Sequence, residues 1–100
     1  MKVDLSGQVA LVTGSARGIG QAIADMLAEN GAHVVYADLD LETAKISSAK
    51  SKSGTALAMD VSSEAQVESG VAQILKEQGR LDILVNNAGI NTMKHRVTVD

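Results

Sequence analysis

Residues 12–20 read Val12-Thr13-Gly14-Ser15-Ala16-Arg17-Gly18-Ile19-Gly20, three glycines set close together between an apolar run and an amphipathic segment. Upstream, Gln8–Thr13 carries four apolar residues in six, which predicts a buried strand over Val9–Thr13. Downstream, Arg17–Asn30 predicts a helix: Ile19, Ile23, Met26 and Leu27 fall at offsets 0, 4, 7 and 8, a single apolar stripe. Asn30-Gly31 ends it, because glycine takes the left-handed conformation that closes helices. The glycines of the turn allow a sharp bend and leave no Cβ between the backbone and a ligand. The following helix aims its unpaired N–H groups and positive dipole end over the same turn. A pyrophosphate suits that place in both shape and charge.

The same alternation continues along the chain. Ala32–Ala37 predicts a second strand around Val34, Val35 and Tyr36, and Leu41–Lys52 a weaker helix with a poor apolar stripe. Its end, Ser47–Ser53, is rich in serine and lysine and is expected to be mobile and solvated. Thr55–Met59 reads as a short third strand. Ser63-x-x-Gln66 fits a capping box, Val67, Val71, Ile74 and Leu75 repeat the helical offsets, and Gly79 is a suitable terminator. Leu81–Val85 is a nearly continuous apolar run, the pattern of a strand buried on both faces of a parallel sheet.

Strands alternating with helices give an α/β chain with a doubly wound parallel sheet: four strands and three helices. Right-handed crossovers with one switch of winding direction set the strand order 3-2-1-4. Residues 1–100 read as one domain. The fourth strand then lies at an edge, an aggregation hazard unless another strand covers it, so the chain looks like the first part of a larger sheet.

Composition narrows the classes. The chain has 100 residues, 45% hydrophobic and 21% charged, with net charge −3. No basic stripe supports nucleic-acid binding, and a single aromatic residue, Tyr36, gives no support for base stacking. Cysteine is absent, which removes thiolate catalysis and thiolate metal sites, and the two histidines, His33 and His95, share no metal-ligand spacing. No apolar run approaches a membrane span and no signal-peptide pattern opens the chain, so the cytoplasm is the default location.

Asp38 ends the second strand, 18 residues after Gly20. A carboxylate there accepts hydrogen bonds from ribose hydroxyls and repels an added phosphate, which favours NAD over NADP; the alternative is a solvated strand-end aspartate. Asp40 reads as a cap for the next helix. Arg17 suits either a phosphate contact or a solvent-facing first turn. Asp60-Val61 follows the third strand on the same sheet edge, where the aspartate suits an adenine amino group or a helix cap. Asn86-Asn87-Ala88-Gly89 closes the fourth strand with two amides and a small step, a pattern that also fits an ordinary turn. The spacing G-x-x-x-G-x-G differs from G-x-G-x-x-G, and Gln21-Ala22 after Gly20 rules against a P-loop phosphotransferase.

Together, Thr13–Gly20, Asp38, Asp60-Val61 and Asn86–Gly89 resemble the short-chain dehydrogenase/reductase family over the chain to about residue 90. The resemblance implies a Rossmann-type fold with a seven-stranded sheet in a dimer or tetramer, and hydride transfer between NAD(H) and a small-molecule alcohol or ketone. It places Gly14, Ser15, Arg17, Gly18, Ile19 and Gly20 along the cofactor phosphates, and Asp38 at the adenosine ribose. It sets Asp60 and Val61 at the adenine, and Asn87, Ala88 and Gly89 along the nicotinamide-side ribose, with Asn86 bracing the central strands. The family's catalytic serine, tyrosine and lysine (four residues after the tyrosine) lie downstream of the Asn-Asn-Ala-Gly motif. Tyr36 is followed four places later by Asp40 and sits in an expected core strand, so no catalytic residue is assigned within these residues. This stretch alone is expected to bind cofactor weakly and to catalyse nothing. The competing expectation is a non-catalytic dinucleotide-binding module or pseudoenzyme. Lys94-His95-Arg96 falls where family members approach the substrate entrance, and reads more simply as a solvated loop.

Overall fold

The computed structural model describes residues 3–88. Within them the elements run β1 (Val9–Thr13), α1 (Gly18–Glu29), β2 (His33–Asp38), α2 (Leu41–Ala49), β3 (Gly54–Ala58), α3 (Glu64–Gln78) and β4 (Ile83–Asn86). All strand pairs are parallel and the order is β3-β2-β1-β4, as the crossover rule requires. β1 is buried along its whole length because it has a strand on each side and helices on both faces.

Two cores sandwich the sheet. On one face Ala10, Val12, Val34 and Tyr36 meet Ala24 and Ala28 of α1 and Ala44 of α2. On the other, Val9, Leu11, Val35 and Ala37 meet Ile74 of α3. α3 is fixed at both ends: Ser63 accepts the Gln66 amide at 3.2 Å, and Gly79 closes the helix at φ +84. The capping box is only half formed, because the Gln66 side chain accepts from the Asp60 amide at 2.9 Å rather than returning to Ser63.

Three expectations need correction. The buried stripe of α1 is Gly20, Ala24 and Ala28, while Ile19 and Met26 are exposed. Small residues win because they let the helix axis approach the sheet: a Cβ at Gly20 would overlap the Gly14 carbonyl oxygen. The end of α2 is not fully solvated, since Ser47 and Ser48 are buried and the Ser47 hydroxyl donates to the Ala16 carbonyl at 2.7 Å. Serine hydrogen-bonded to backbone is compact enough to enter a core, so the low apolar count there misled. Finally, among the described residues β4 is covered on one face only. Ile83 and Val85 pack against the core that α1 helps form, but Leu84 is 62% exposed on the opposite face. There the α3-side core reaches over β1 and β2 and stops short of Leu84.

Candidate functional site

The glycine turn is built by its neighbours. Gly14 and Gly18 have φ +64 and +68, the left-handed region that costs other residues about 1–2 kcal/mol. Asn87 donates its side-chain amide to the Gly14 carbonyl at 3.1 Å. The Thr13 hydroxyl donates to Asn86 Oδ1 at 3.0 Å and accepts from the Ala88 amide at 3.2 Å. Asn86 thereby links β4 to β1, where the two residues are register partners. From below, the fully buried Ser15 hydroxyl donates to the Val12 carbonyl at 2.8 Å and its amide to the Ala37 carbonyl at 3.2 Å. Ser47 holds the Ala16 carbonyl from α2.

The helix that leaves this turn differs from the other two. α2 begins on Asp40, whose carboxylate accepts the Thr43 amide, with Glu42 in its first turn. α3 begins on Ser63, with Glu64 in its first turn. α1 begins on Arg17 with no side-chain cap and no acidic residue in its first turn. A Cβ at Gly18 would meet nothing within 4 Å. Unpaired amides, an unopposed positive dipole end and open space above a glycine fit the pyrophosphate of a dinucleotide.

A cleft of about 610 Å³ runs along the C-terminal strand ends, lined by Gly14, Arg17, Asp38, Leu39, Met59, Asp60, Val61, Ser62 and Ala88. Asp38 is fixed by two backbone amides: Oδ2 accepts from Ala16 and Oδ1 from Asp40, both at 3.0 Å. Each oxygen retains acceptor capacity, so the carboxylate is oriented without being used up. Asp60 accepts the Ser62 hydroxyl at 2.6 Å and the Ser62 amide at 2.9 Å, and these bonds hold its carboxyl below the usual carboxylate range. The cap of α3 is Ser63, which leaves Asp60 at the cleft mouth. Arg17 turns to α2, paired with Asp40 and hydrogen-bonded to the Thr43 hydroxyl at 3.1 Å. The Thr43 hydroxyl and amide, then Arg17, push the Asp40 carboxyl down to about 2.

The structure thus gathers Gly14, Arg17, Asp38, Asp60, Val61 and Ala88 around one cleft. Gly18 stands at the open start of α1, and Gly20 packs beneath the turn. Ser15 lies under the turn with its hydroxyl turned inward, Ile19 is 74% exposed and does not line the cleft, and Asn87 is buried against Gly14. Gly89 and Lys94-His95-Arg96 lie outside the described residues. Sequence reasoning missed Leu39, Met59 and Ser62 in the cleft wall and Thr13 and Ser47 in its support. The signal for Leu39 was present: a large apolar side chain flanked by two aspartates at a strand end, here 74% exposed. Tyr36 is a core residue, wholly buried and donating to Asp25 at 2.6 Å. Among the described residues no cluster of His, Cys, Asp and Glu could hold a metal ion, and no helix is long and apolar enough to cross a membrane.

This is a doubly wound nucleotide-binding architecture, with its crevice at the strand ends where the order switches direction. The family model for short chain dehydrogenase matches residues 8–100, and the chain belongs to that family. It is 45% identical over 87 residues to sorbitol dehydrogenase of Cereibacter sphaeroides, covering 86% of this chain and 34% of that protein. It is 45% identical over 89 residues to the 3-oxoacyl-(acyl-carrier-protein) reductase FabG of Vibrio harveyi, covering 88% of this chain and 36% of that protein. The crystal structure of a 3-ketoacyl-(acyl-carrier-protein) reductase from Brucella melitensis, complexed with NADH, superposes with a TM-score of 0.76 at 38% identity. That superposition covers 81% of this chain and 34% of the other. The chain spans about a third of the length of the curated relatives it matches.

Proposed function

We propose that this chain is the dinucleotide-binding part of an NAD-dependent oxidoreductase that moves a hydride between the nicotinamide and a small-molecule alcohol or ketone. The observation that carries the reading is Asp38. Its carboxylate is oriented by two backbone amides, lines the cleft, and sits beside the uncapped start of α1. A bound NAD would supply the hydride chemistry, and the residues present would supply binding and orientation. Gly14, Gly18 and the first amides of α1 would hold the diphosphate, and Asp38 the adenosine ribose. Asp60 and Val61 would flank the adenine, and Ala88 would back the nicotinamide side. Residues 1–100 belong, on this reading, to one cofactor domain of a cytoplasmic homo-dimer or homo-tetramer that engages neither nucleic acid nor membrane.

The test is NADH and NADPH titration of the full-length protein, followed by cofactor fluorescence. NADH is expected to bind the more tightly, and Asp38→Arg is expected to move preference toward NADPH. The same variant should lose about 1–3 kcal/mol of stability, because two amides lose their acceptor. Equal affinity of the native protein for both cofactors, or unchanged preference in Asp38→Arg, overturns Asp38 as the selector.

A further inference from the structure

Arg17 stands in the cleft wall with Asp38, on the side where the ribose selector acts. A free guanidinium there would attract a 2′-phosphate and work against Asp38. The guanidinium is not free. Its Nη2 is shared between the Asp40 carboxylate and the Thr43 hydroxyl, so it reaches across to the N-terminus of α2.

Asp40 is itself held in place. Oδ1 accepts the Thr43 amide at 3.1 Å as the helix cap, and Oδ2 accepts the Thr43 hydroxyl at 2.7 Å while pairing with Arg17. Its own amide donates to Asp38 Oδ1 at 3.0 Å. One short segment, Asp38-Leu39-Asp40, therefore carries both the ribose carboxylate and the group that occupies the neighbouring cation.

We infer that Asp40 is a positioning residue for cofactor selection: by holding Arg17 against α2 it keeps the guanidinium from receiving the 2′-phosphate of NADP. The inference rests on the cofactor reading above and adds a second selector to Asp38. Asp38 acts by charge at the ribose, and Asp40 acts through Arg17. Three formal charges sit together here, Asp38, Asp40 and Arg17. Neutralising Asp40 frees Arg17 to offset Asp38 and to donate to the 2′-phosphate. Exposed ion pairs are individually weak, but this one is pre-oriented at the carboxylate end by Thr43.

The experiment compares NADH and NADPH binding, by cofactor fluorescence, in the full-length protein and its Asp40→Asn variant. Asparagine caps helices as well as aspartate does, so α2 should persist while the charge goes. The expected result is a gain of roughly two- to fivefold in NADPH affinity relative to NADH. Asp40→Glu, which keeps the charge and weakens the cap, should keep the native preference. In an Arg17→Gln background, Asp40→Asn should have little effect on the ratio, because the residue acts through Arg17. Should Asp40→Asn fail to fold, Asp40→Ser makes the same comparison. An unchanged ratio in a native protein that prefers NADH overturns this inference and leaves the Asp38 reading standing. A gain that persists without Arg17 also overturns it, and makes Asp40 a direct repeller of the phosphate. A native protein that binds neither dinucleotide overturns both readings.

Discussion

The Asn87 side-chain amide donates to the Gly14 carbonyl at 3.1 Å, joining the end of β4 to the glycine turn that follows β1. Those two residues are 73 positions apart, and the bond fixes the carbonyl against which Gly20 packs. Asn87→Asp puts an acceptor against that carbonyl in a buried setting. We expect a loss of about 1–3 kcal/mol in urea unfolding and weaker NADH binding, because the turn loses its brace. Native stability in the variant would show that the bond contributes nothing.

Gly18 and Gly20 separate conformation from contact. Gly18→Ala meets open space but retains φ +68, so it should cost about 1–2 kcal/mol of stability while placing a methyl where the diphosphate would lie. A Cβ at Gly20 would overlap the Gly14 carbonyl oxygen and come within 2.6 Å of Asn87 Nδ2. Gly20→Ala must therefore displace α1, and should cost at least as much, roughly 1–3 kcal/mol. Thermal melts of the two variants alongside NADH titrations test the contrast. Gly20→Ala should be the less stable, and Gly18→Ala should lose more binding than its stability change explains.

Ser47 supports the turn from α2 by donating to the Ala16 carbonyl at 2.7 Å. Ser47→Ala leaves that carbonyl without its donor in a buried site and should cost about 1 kcal/mol. Ser48→Ala, one residue on, removes a local bond to the Lys45 carbonyl and should cost less. Chemical denaturation of the pair measures the difference, and equal costs would remove Ser47 from the support of the site.

Tyr36 sets an alkaline limit on stability. Burial, then the hydrogen bond it donates to Asp25, raises its hydroxyl from 10.0 to about 12. The folded state favours the neutral phenol, so its contribution is complete below pH 10, where the unfolded phenol is also neutral. It is lost as pH rises from 10 through about 12, on the order of 2 kcal/mol in all. Tyr36 is the one tyrosine among residues 1–100, and the difference in tyrosinate absorbance between the native protein and Tyr36→Phe isolates this group. Tyr36→Phe should flatten the alkaline fall in denaturation midpoint between those values. A tyrosinate transition near pH 10 in the folded protein would contradict the burial argument.

Much of the fold could be read without coordinates. The runs at Val9–Thr13, Val34–Tyr36 and Leu81–Val85, the stops at Gly31 and Gly79 and the crossover rule together imply a parallel sheet in the order 3-2-1-4. The capping roles of Asp40 and Ser63 were legible because caps are local. The face of α1 was misread because hydrophobic periodicity rewards large side chains, whereas close approach to a sheet rewards Gly20, Ala24 and Ala28. Leu84 was misread because an apolar run records what a strand can bury and not what covers it in the described residues.

Sequence alone determined the backbone plan, including a glycine turn at a helix start and an acid at the next strand end. These features depend on residues a few positions apart, whose dihedral preferences and spacing act locally. Tertiary structure alone decided which groups of that plan face the cleft. It turned the Ser15 hydroxyl down to Val12, set Asn87 on Gly14, drew Ser47 to Ala16 and committed Arg17 to Asp40. Most of these partners are 23 to 73 positions apart, and packing brings them together where no local propensity reaches. Ser15, whose partner is only three positions away, turns inward because Val12 and Ala37 close around it once β1 and β2 are paired.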